Sequence, residues 1–206
     1  MKKCMLAWLV LSTSALFAQS GELWFSGGAS LLAPKNIGSP SPDGDQSDIR
    51  LGDGFRFGFR YDLNSAGHIG HEIQYAYNRT DLTDNTGAIL GDAGSAGVAI
   101  HQAGYNVLYY LHETREALKV RPFLTAGVHF SDFVLPGSGG PQGSSVKFGG
   151  NFGGGVKVRL SPLFAFRADV REYMTGKPSW DQLAVTHSGI GLLFQTELSA
   201  GFGVIF

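Results

Sequence analysis

Apolar and polar side chains alternate along the chain from Leu23 to the last residue, whereas the spacing typical of helices is almost absent. In the stretch FRFGFRY at 55–61, the aromatic residues fall on one side of an extended chain and Arg56, Gly58 and Arg60 fall on the other. Because successive side chains of a strand point to opposite faces, this pattern predicts β-strands. We predict about eight strands, at residues 23–32, 50–63, 69–78, 102–110, 121–130, 148–160, 164–171 and 198–206.

The predicted connections are of two kinds. NSAG at 64–67 and SP at 161–162 have the composition of tight turns, and HETREALK at 112–119 is of middling length. The remaining connections are long and polar, at about 33–48, 83–95, 135–145 and 175–195. Long and short connections alternate along the chain, so in an antiparallel sheet all the long loops emerge at one end.

A closed antiparallel barrel fits this arrangement, and its apolar face could turn either inward or outward. A soluble barrel of the lipocalin or avidin type would turn the aromatic residues inward, but an eight-stranded interior is too narrow to hold them. The opposite face combines glycine with long charged residues, which suits a narrow lumen better than a solvated surface. The longer predicted strands also match the roughly 9–11 tilted residues that cross a bilayer. The pattern therefore predicts an all-β fold, an eight-stranded antiparallel up-and-down transmembrane β-barrel.

A surrounding bilayer decides where the charged side chains point. An Arg or Lys that faces mid-bilayer lipid costs roughly 2–4 kcal/mol, so the cations of the polar face must point into the lumen. Matching the faces of the second and third predicted strands puts Arg60 directly or diagonally opposite Glu72, and we predict that these two residues pair. The charges could gate a pore, but structural filling of the lumen is the favoured interpretation. The predicted lumen charge network consists of Arg56, Arg60, Glu72, Lys157, Arg167, Asp169 and Arg171.

Aromatic residues gather near the ends of the predicted strands, where membrane barrels carry interfacial girdles. The expected girdle residues are Tyr61, Tyr109, Phe130, Phe133, Phe148, Phe164 and Phe206. We expect their rings to face outward at the two membrane surfaces.

Residues 1–20 have the features of a secretory signal peptide. Lys2 and Lys3 precede an apolar stretch, and small residues follow it, so cleavage is predicted near 18–20. Cys4 is the single cysteine, so the barrel domain predicted at 21–206 has no thiol. Loss of the two lysines lowers the 16 basic residues to 14 against 17 acidic ones, and the resulting net charge of about −3 does not indicate nucleic-acid binding. No later apolar run approaches the roughly 18 residues of a spanning helix, so the mature chain could enter a membrane only as strands.

The signal-like start, the alternating strands and the terminal strand LSAGFGVIF together resemble the small outer-membrane β-barrel family of OmpA-type and OmpX-type proteins. The resemblance implies residence in the outer-membrane bilayer of a bacterial envelope. It also implies that the C-terminal aromatic, Phe206, is the assembly signal read by the barrel-assembly machinery. A monomer without cofactor is expected.

His129 and Ser131 are the candidate catalytic pair, because they share the lumen face of the fifth predicted strand. A His-x-Ser pair resembles the dyad of outer-membrane lipid A deacylases, in which the histidine activates the serine for ester attack. Asp132 follows where that family continues with Asn, so a satisfied interior histidine is the favoured interpretation. His71, His101 and His112 are too dispersed to form a metal site.

Three functions are therefore compared. The favoured hypothesis is a non-enzymatic outer-membrane barrel with a filled lumen or very narrow pore that presents its loops outside the cell. The alternatives are a lipid-modifying outer-membrane enzyme and a secreted soluble barrel that binds an apolar ligand.

Overall fold

Nine antiparallel strands make up the described part of the chain. The computed structural model describes residues 18–33, 35–45, 47–88, 90, 94–113, 118–135, 143–180 and 191–206. No helix in these ranges is long and apolar enough to cross a membrane. The predicted signal peptide falls largely outside the described residues and stays a prediction. The strands are β1 (Ala18–Ala33), β2 (Asn36–Gly38), β3 (Ile49–Ser65), β4 (Ile69–Asp84), β5 (Ser95–Tyr110), β6 (Val120–Leu135), β7 (Gly143–Arg159), β8 (Phe164–Gly176) and β9 (Leu192–Ile205).

Eight long strands close into a barrel, which confirms the predicted fold. Each long strand pairs with the next one along the chain, and β1 pairs with both β3 and β9. The closing seam is in register along most of β1, with Phe25 opposite Phe202 and Ser30 opposite Glu197. The short strand β2 adds only a small pairing beside the start of β3. Closure matters because a sheet without edges leaves no strand backbone unpaired in a medium without water.

The short connections lie at one end of the barrel, as the sequence predicts. They join β3 to β4, β5 to β6 and β7 to β8, and the four long connections lie at the other end. The strands extend further toward the long loops than predicted. β4, for example, continues to Asp84, and β7 begins at Gly143.

In the section nearer the short turns, the apolar face points outward and the charged face points inward. Phe57 is 61% exposed, whereas its neighbour Arg56 is 1% exposed. Rings from adjacent strands pack edge to face on the outer wall, as Phe25 and Phe59 do at 5.4 Å between centroids. This arrangement is the reverse of a soluble barrel and suits a hydrocarbon surrounding.

Toward the long loops the polarity of the two faces inverts. Leu51 and Leu82 turn inward, while Arg50 and Asp81 turn outward. Strands of this length exceed the roughly 9–11 residues that a bilayer requires. The strand residues nearest the long loops therefore lie in water, and their apolar side chains are buried inside the barrel, as in a soluble protein. The inward-facing residues form an apolar cap over the lumen, made of Leu32, Ile37, Ile49, Leu51, Leu82, Val98, Ile100, Phe133, Leu135, Trp180 and Leu193.

The inversion makes one girdle assignment wrong. Phe133 was expected on the outer wall, but its ring is buried in the apolar cap. Two loop segments complete the cap: β2 supplies Ile37, and Trp180 follows β8 and donates from its Nε1 to the Phe133 carbonyl at 3.2 Å. Lys177 donates to the Asn36 carbonyl at 2.7 Å and so joins these segments, and partial burial lowers the pKa of its ammonium.

Candidate functional site

The predicted lumen charge network lies inside the barrel. All seven of its side chains point away from the outer wall, and none of these residues is more than 4% exposed. They come from β3, β4, β7 and β8, so the network draws on both halves of the barrel. The structure therefore brings the sequence-predicted residues together at one place.

Side chains bridge the lumen along all four of its diameters. In an eight-stranded barrel each strand faces the strand four places away around the wall, so β1 faces β6, β3 faces β7, β4 faces β8 and β5 faces β9. Each of these facing pairs is joined by a direct polar contact. The contacts are Glu22 to Arg121 at 3.7 Å, Asp62 to Lys157 at 2.6 Å, Glu72 to Arg171 at 2.7 Å and Gln102 to Gln195 at 2.9 Å.

Glu72 is the hub of this network. Its carboxylate accepts from both terminal nitrogens of Arg171, at 2.7 and 3.1 Å, and from Nη2 of Arg167 at 2.7 Å. The Asn106 amide donates a further hydrogen bond at 2.7 Å. Bidentate contacts between guanidinium and carboxylate are among the strongest charge-assisted hydrogen bonds, so the hub holds its arginines in fixed positions.

The predicted pairing of Arg60 with Glu72 is present only at the limit of contact. Arg60 is in register with Gln74, which makes Glu72 its diagonal neighbour, and Nε of Arg60 lies 4.0 Å from Oε1 of Glu72. The closer partners of Arg60 are Asp169, at 3.4 Å, and Glu197, which Nη2 contacts directly. The sequence indicated the shared face correctly, but the main partner lies on β9.

Sequence reasoning missed three acidic residues and one cation of the lumen. The predicted network held five cations and only two carboxylates, and the structure supplies Glu22, Asp62 and Glu197 as the missing acids. Charge balance was the available signal, because a buried excess of three cations is not stable. The alternation of side chains between the two faces of a strand (strand parity) would have found the acids, since each lies an even number of residues from a side chain that points into the lumen. The missed cation is Arg121, at the start of strand β6.

Aromatic rings close the lumen at the short-turn end. The Lys157 ammonium lies 5.2 Å from the Trp24 ring and donates to the Tyr110 hydroxyl at 2.6 Å. The Arg121 guanidinium stacks over Tyr110 at 4.6 Å, and that of Arg167 over Phe123 at 4.7 Å. Such contacts stabilise cations that have lost their water.

His129 and Ser131 lie on the lumen face as predicted, but they do not form a dyad. Nε2 of His129 bonds to the Thr175 hydroxyl at 2.7 Å, and the Ser131 hydroxyl has no hydrogen-bond partner among the residues that the structure describes. Ser131 is fully buried, so no bulky substrate reaches its oxygen in this arrangement. Among the described residues, no group of three or more His, Cys, Asp or Glu side chains could hold a metal ion.

Phe206 closes the seam of the barrel at the short-turn end. Its backbone exchanges two hydrogen bonds of 2.9 Å with Gly21, and its ring stacks on Tyr61 at 6.2 Å between centroids. A Cβ on Gly21 would lie 2.6 Å from the Phe206 ring, so glycine is what allows this approach. The Phe206 side chain remains 67% exposed, and its role as an assembly signal stays a prediction.

Comparisons with known structures agree with this architecture. Neisserial surface protein A is 18% identical with a TM-score of 0.59, and the alignment covers 91% of this chain and 97% of that chain. The outer membrane protein AlkL, whose structure was determined by solid-state NMR in lipid bilayers, is 14% identical with a TM-score of 0.56, and 92% of each chain is covered. A major outer membrane protein from Thermus thermophilus is 14% identical with a TM-score of 0.52, and 91% of this chain and all of that chain are covered. At these identities the likeness concerns the fold alone. A comparison with curated protein sequences gave no match.

The closed sheet, the outward aromatics and the charged lumen define an integral β-barrel protein. The sequence matches the family described as outer membrane protein beta-barrel domain over residues 5–206, and the chain belongs to that family. Membership implies location in the outer membrane. The family thereby excludes the secreted soluble barrel that the sequence left as an alternative.

Proposed function

We propose that this protein is a non-enzymatic outer-membrane barrel with a closed lumen that acts through its extracellular loops. The observation that carries the proposal is the bridging of all four diameters by side chains within hydrogen-bonding or ion-pair distance. A lumen spanned in every direction leaves no continuous path for hydrated ions. The four long connections are then the parts of the molecule available to partners.

The energetics of the network also support a closed state. Removing one partner from a buried ion pair costs about 3–5 kcal/mol, because the remaining charge stays buried without compensation. A passing solute would have to separate several pairs at once, since Glu72 and Asp169 each contact more than one arginine. The network therefore acts as a plug built from the barrel wall itself.

The apolar cap forms a second barrier above the plug. It consists of apolar side chains, and Trp180 and Ile37 enter it from two different loops. Apolar constrictions exclude ions because hydration is lost there. The loops that close the barrel therefore belong to the same extracellular loops through which the protein acts. The name of Neisserial surface protein A, which has the same fold, agrees with a role at the cell surface.

A conductance measurement tests the closed lumen. Purified protein inserted in a planar lipid bilayer is expected to produce no stable single-channel steps, because every diameter is bridged. A general porin inserted in the same bilayer provides the positive control for detection. Reproducible steps from the folded wild-type protein would show that the lumen opens and would overturn the proposal.

The absence of lipid A chemistry is tested at Ser131. Strains that carry the wild-type protein, the Ser131→Ala variant or an empty vector are expected to show the same lipid A mass spectrum, because the hydroxyl is buried away from His129 and from lipid. A species lacking an acyl chain in the wild-type strain alone would establish enzymatic activity. Equal amounts of folded protein in the membranes of the first two strains are the required control.

A further inference from the structure

The turn between β7 and β8 presents apolar side chains at the short-turn end of the barrel. Its sequence at 160–163 is Leu-Ser-Pro-Leu, and the side chains of Leu160 and Leu163 are 56% and 58% exposed. Phe164, the first residue of β8, is exposed next to them. Contiguous exposed apolar surface marks a contact with a membrane or with a protein partner. The β7–β8 turn is therefore a candidate contact surface.

The other two short turns are polar. Residues 65–68, between β3 and β4, are Ser-Ala-Gly-His. The connection HETREALK at 112–119, between β5 and β6, carries the charged residues Glu113, Arg115, Glu116 and Lys119. The apolar character therefore belongs to one side of the barrel and not to its short-turn end as a whole.

The apolar surface of the β7–β8 turn continues into the outer wall of the barrel. Phe164 lies directly opposite Val204 of β9. At the next outward position of β8, Phe166 packs against Phe202 at 5.4 Å between ring centroids. This part of the wall faces hydrocarbon, so the leucines of the turn extend a lipid-facing surface beyond the girdle residue Phe164.

The hydrogen bonds of the β7–β8 turn also suit a medium without water. Leu160 and Ser161 donate from their backbone N–H groups to the Phe164 carbonyl, at 2.9 and 3.0 Å. The N–H groups of Leu163 and Phe164 donate to the Ser161 hydroxyl, at 3.3 and 3.0 Å. Pro162 has no N–H group. Each backbone N–H from Leu160 to Phe164 therefore has an acceptor inside the protein, as a segment that enters a bilayer requires.

Two cationic residues border the turn. Arg159 precedes it and donates from its backbone N–H to the Lys119 carbonyl at 2.7 Å, so these two residues are adjacent across β6 and β7. Long Lys and Arg side chains lay their methylene groups along apolar surface and hold their charges in the polar layer. Apolar residues bordered by cations are typical of segments that lie at the boundary between lipid head groups and acyl chains.

We infer that the β7–β8 turn is inserted into the leaflet on the short-turn side of the bilayer. Leu160 and Leu163 contact the acyl chains, Lys119 and Arg159 lie at the phosphates, and the turn at 65–68 lies in water. The barrel therefore sits deeper in the bilayer on the side of β7 and β8 than on the side of β3 and β4. This contact is independent of the extracellular loops and of the closed lumen.

Fluorescence quenching in phosphatidylcholine nanodiscs tests the insertion. Leu163→Cys carries an environment-sensitive fluorophore on its thiol, and Cys4, the single native cysteine, is replaced by serine. The label is expected to show blue-shifted emission, to be quenched by lipids with a nitroxide near the top of the acyl chain, and to lose most of its quenching by aqueous iodide. Ala66→Cys, in the β3–β4 turn, is the matched control and should show the reverse pattern. Both labelled proteins are first shown to be folded by their heat-modifiable mobility in gels.

Two outcomes would overturn the inference. Equal quenching by iodide at the two labelled positions would place the β7–β8 turn in water. A label on Leu163→Cys that is protected from both iodide and the nitroxide lipid would assign the surface to a protein partner or to a second copy of this chain.

A second variant tests the role of the Ser161 hydroxyl. Ser161→Ala leaves the N–H groups of Leu163 and Phe164 without their acceptor, and unpaired N–H groups are costly in lipid. In the protein labelled at position 163, this change is expected to increase quenching by iodide, because the turn moves toward water. Ser65→Ala, in the polar β3–β4 turn, is the control and should leave the quenching unchanged. Equal quenching in the two variants would overturn internal hydrogen bonding as the basis of the insertion.

Discussion

Replacing Glu72 by alanine is expected to lower the free energy of unfolding by about 3–5 kcal/mol, the range measured when one partner of a buried ion pair is removed. The Glu72 carboxylate contacts Arg167 and Arg171 together, and neither guanidinium has access to water. Asp169 contacts both arginines but also serves Arg60, so it cannot replace the lost charge. The variant therefore leaves an excess of positive charge in the centre of the barrel.

The measurement is a urea titration of barrels folded into lipid vesicles, followed by tryptophan fluorescence, to which the buried Trp24 and Trp180 both contribute. Glu172→Ala is the matched control, because this carboxylate lies on the outer wall and is held by a single hydrogen bond of 2.6 Å from the Thr196 hydroxyl. Loss of one such hydrogen bond should change the free energy of unfolding by about 1 kcal/mol. Similar losses in the two variants would mean that the lumen charges are hydrated rather than paired.

The faces of the strands could be predicted from the sequence because parity needs only the order of residues. In an uninterrupted strand Arg56 and Arg60 must share a face, and the cost of a cation in lipid then decides which face it is. Parity does not reveal the partner across the lumen. Glu197 is 137 residues from Arg60 along the chain and contacts it only because β9 closes the barrel beside β1.

The alternation of apolar and polar residues could not predict where along the strands the membrane surface lies. Leu82 and Phe133 keep the strict period of two, yet they turn inward because the solvent outside the strand changes from hydrocarbon to water. The segment RTDLTD at 79–84 contains the clue, since Arg79 and Asp81 lie on the face that Ile73 and Tyr75 occupy lower in the same strand. Tracking which face of each strand carries the charged residues would have located the inversion and placed Phe133 on the inner face.

The acidic residues that were absent from the predicted lumen network show a second limit of prediction from alternation. Asp62 was inside a predicted strand, but without a view of the closed barrel nothing connected it with Lys157 on the opposite wall. Glu197 stood between the predicted loop, which ended near residue 195, and the predicted last strand, which began at Leu198, so it was assigned to neither. Requiring the buried charges to balance adds a constraint that parity lacks, because an uncompensated interior cation is costly wherever it lies.

Because the bilayer surrounds the section of the barrel nearer the short turns, an arginine on the outer wall of that section should be destabilising. Ile73→Arg, on the outer wall of β4, is expected to reduce the free energy of unfolding in vesicles by roughly 2–4 kcal/mol, the cost of a cation at mid-bilayer depth. Ser95→Arg, on the neighbouring strand β5, also faces outward but lies at the long-loop end, where the inverted polarity places water. This second change should alter stability by no more than about 0.5 kcal/mol, as at other solvated surface positions. If arginine is tolerated equally at both positions, hydrocarbon does not surround the section that carries the outward phenylalanines, and the charged lumen would need another explanation than exclusion from lipid.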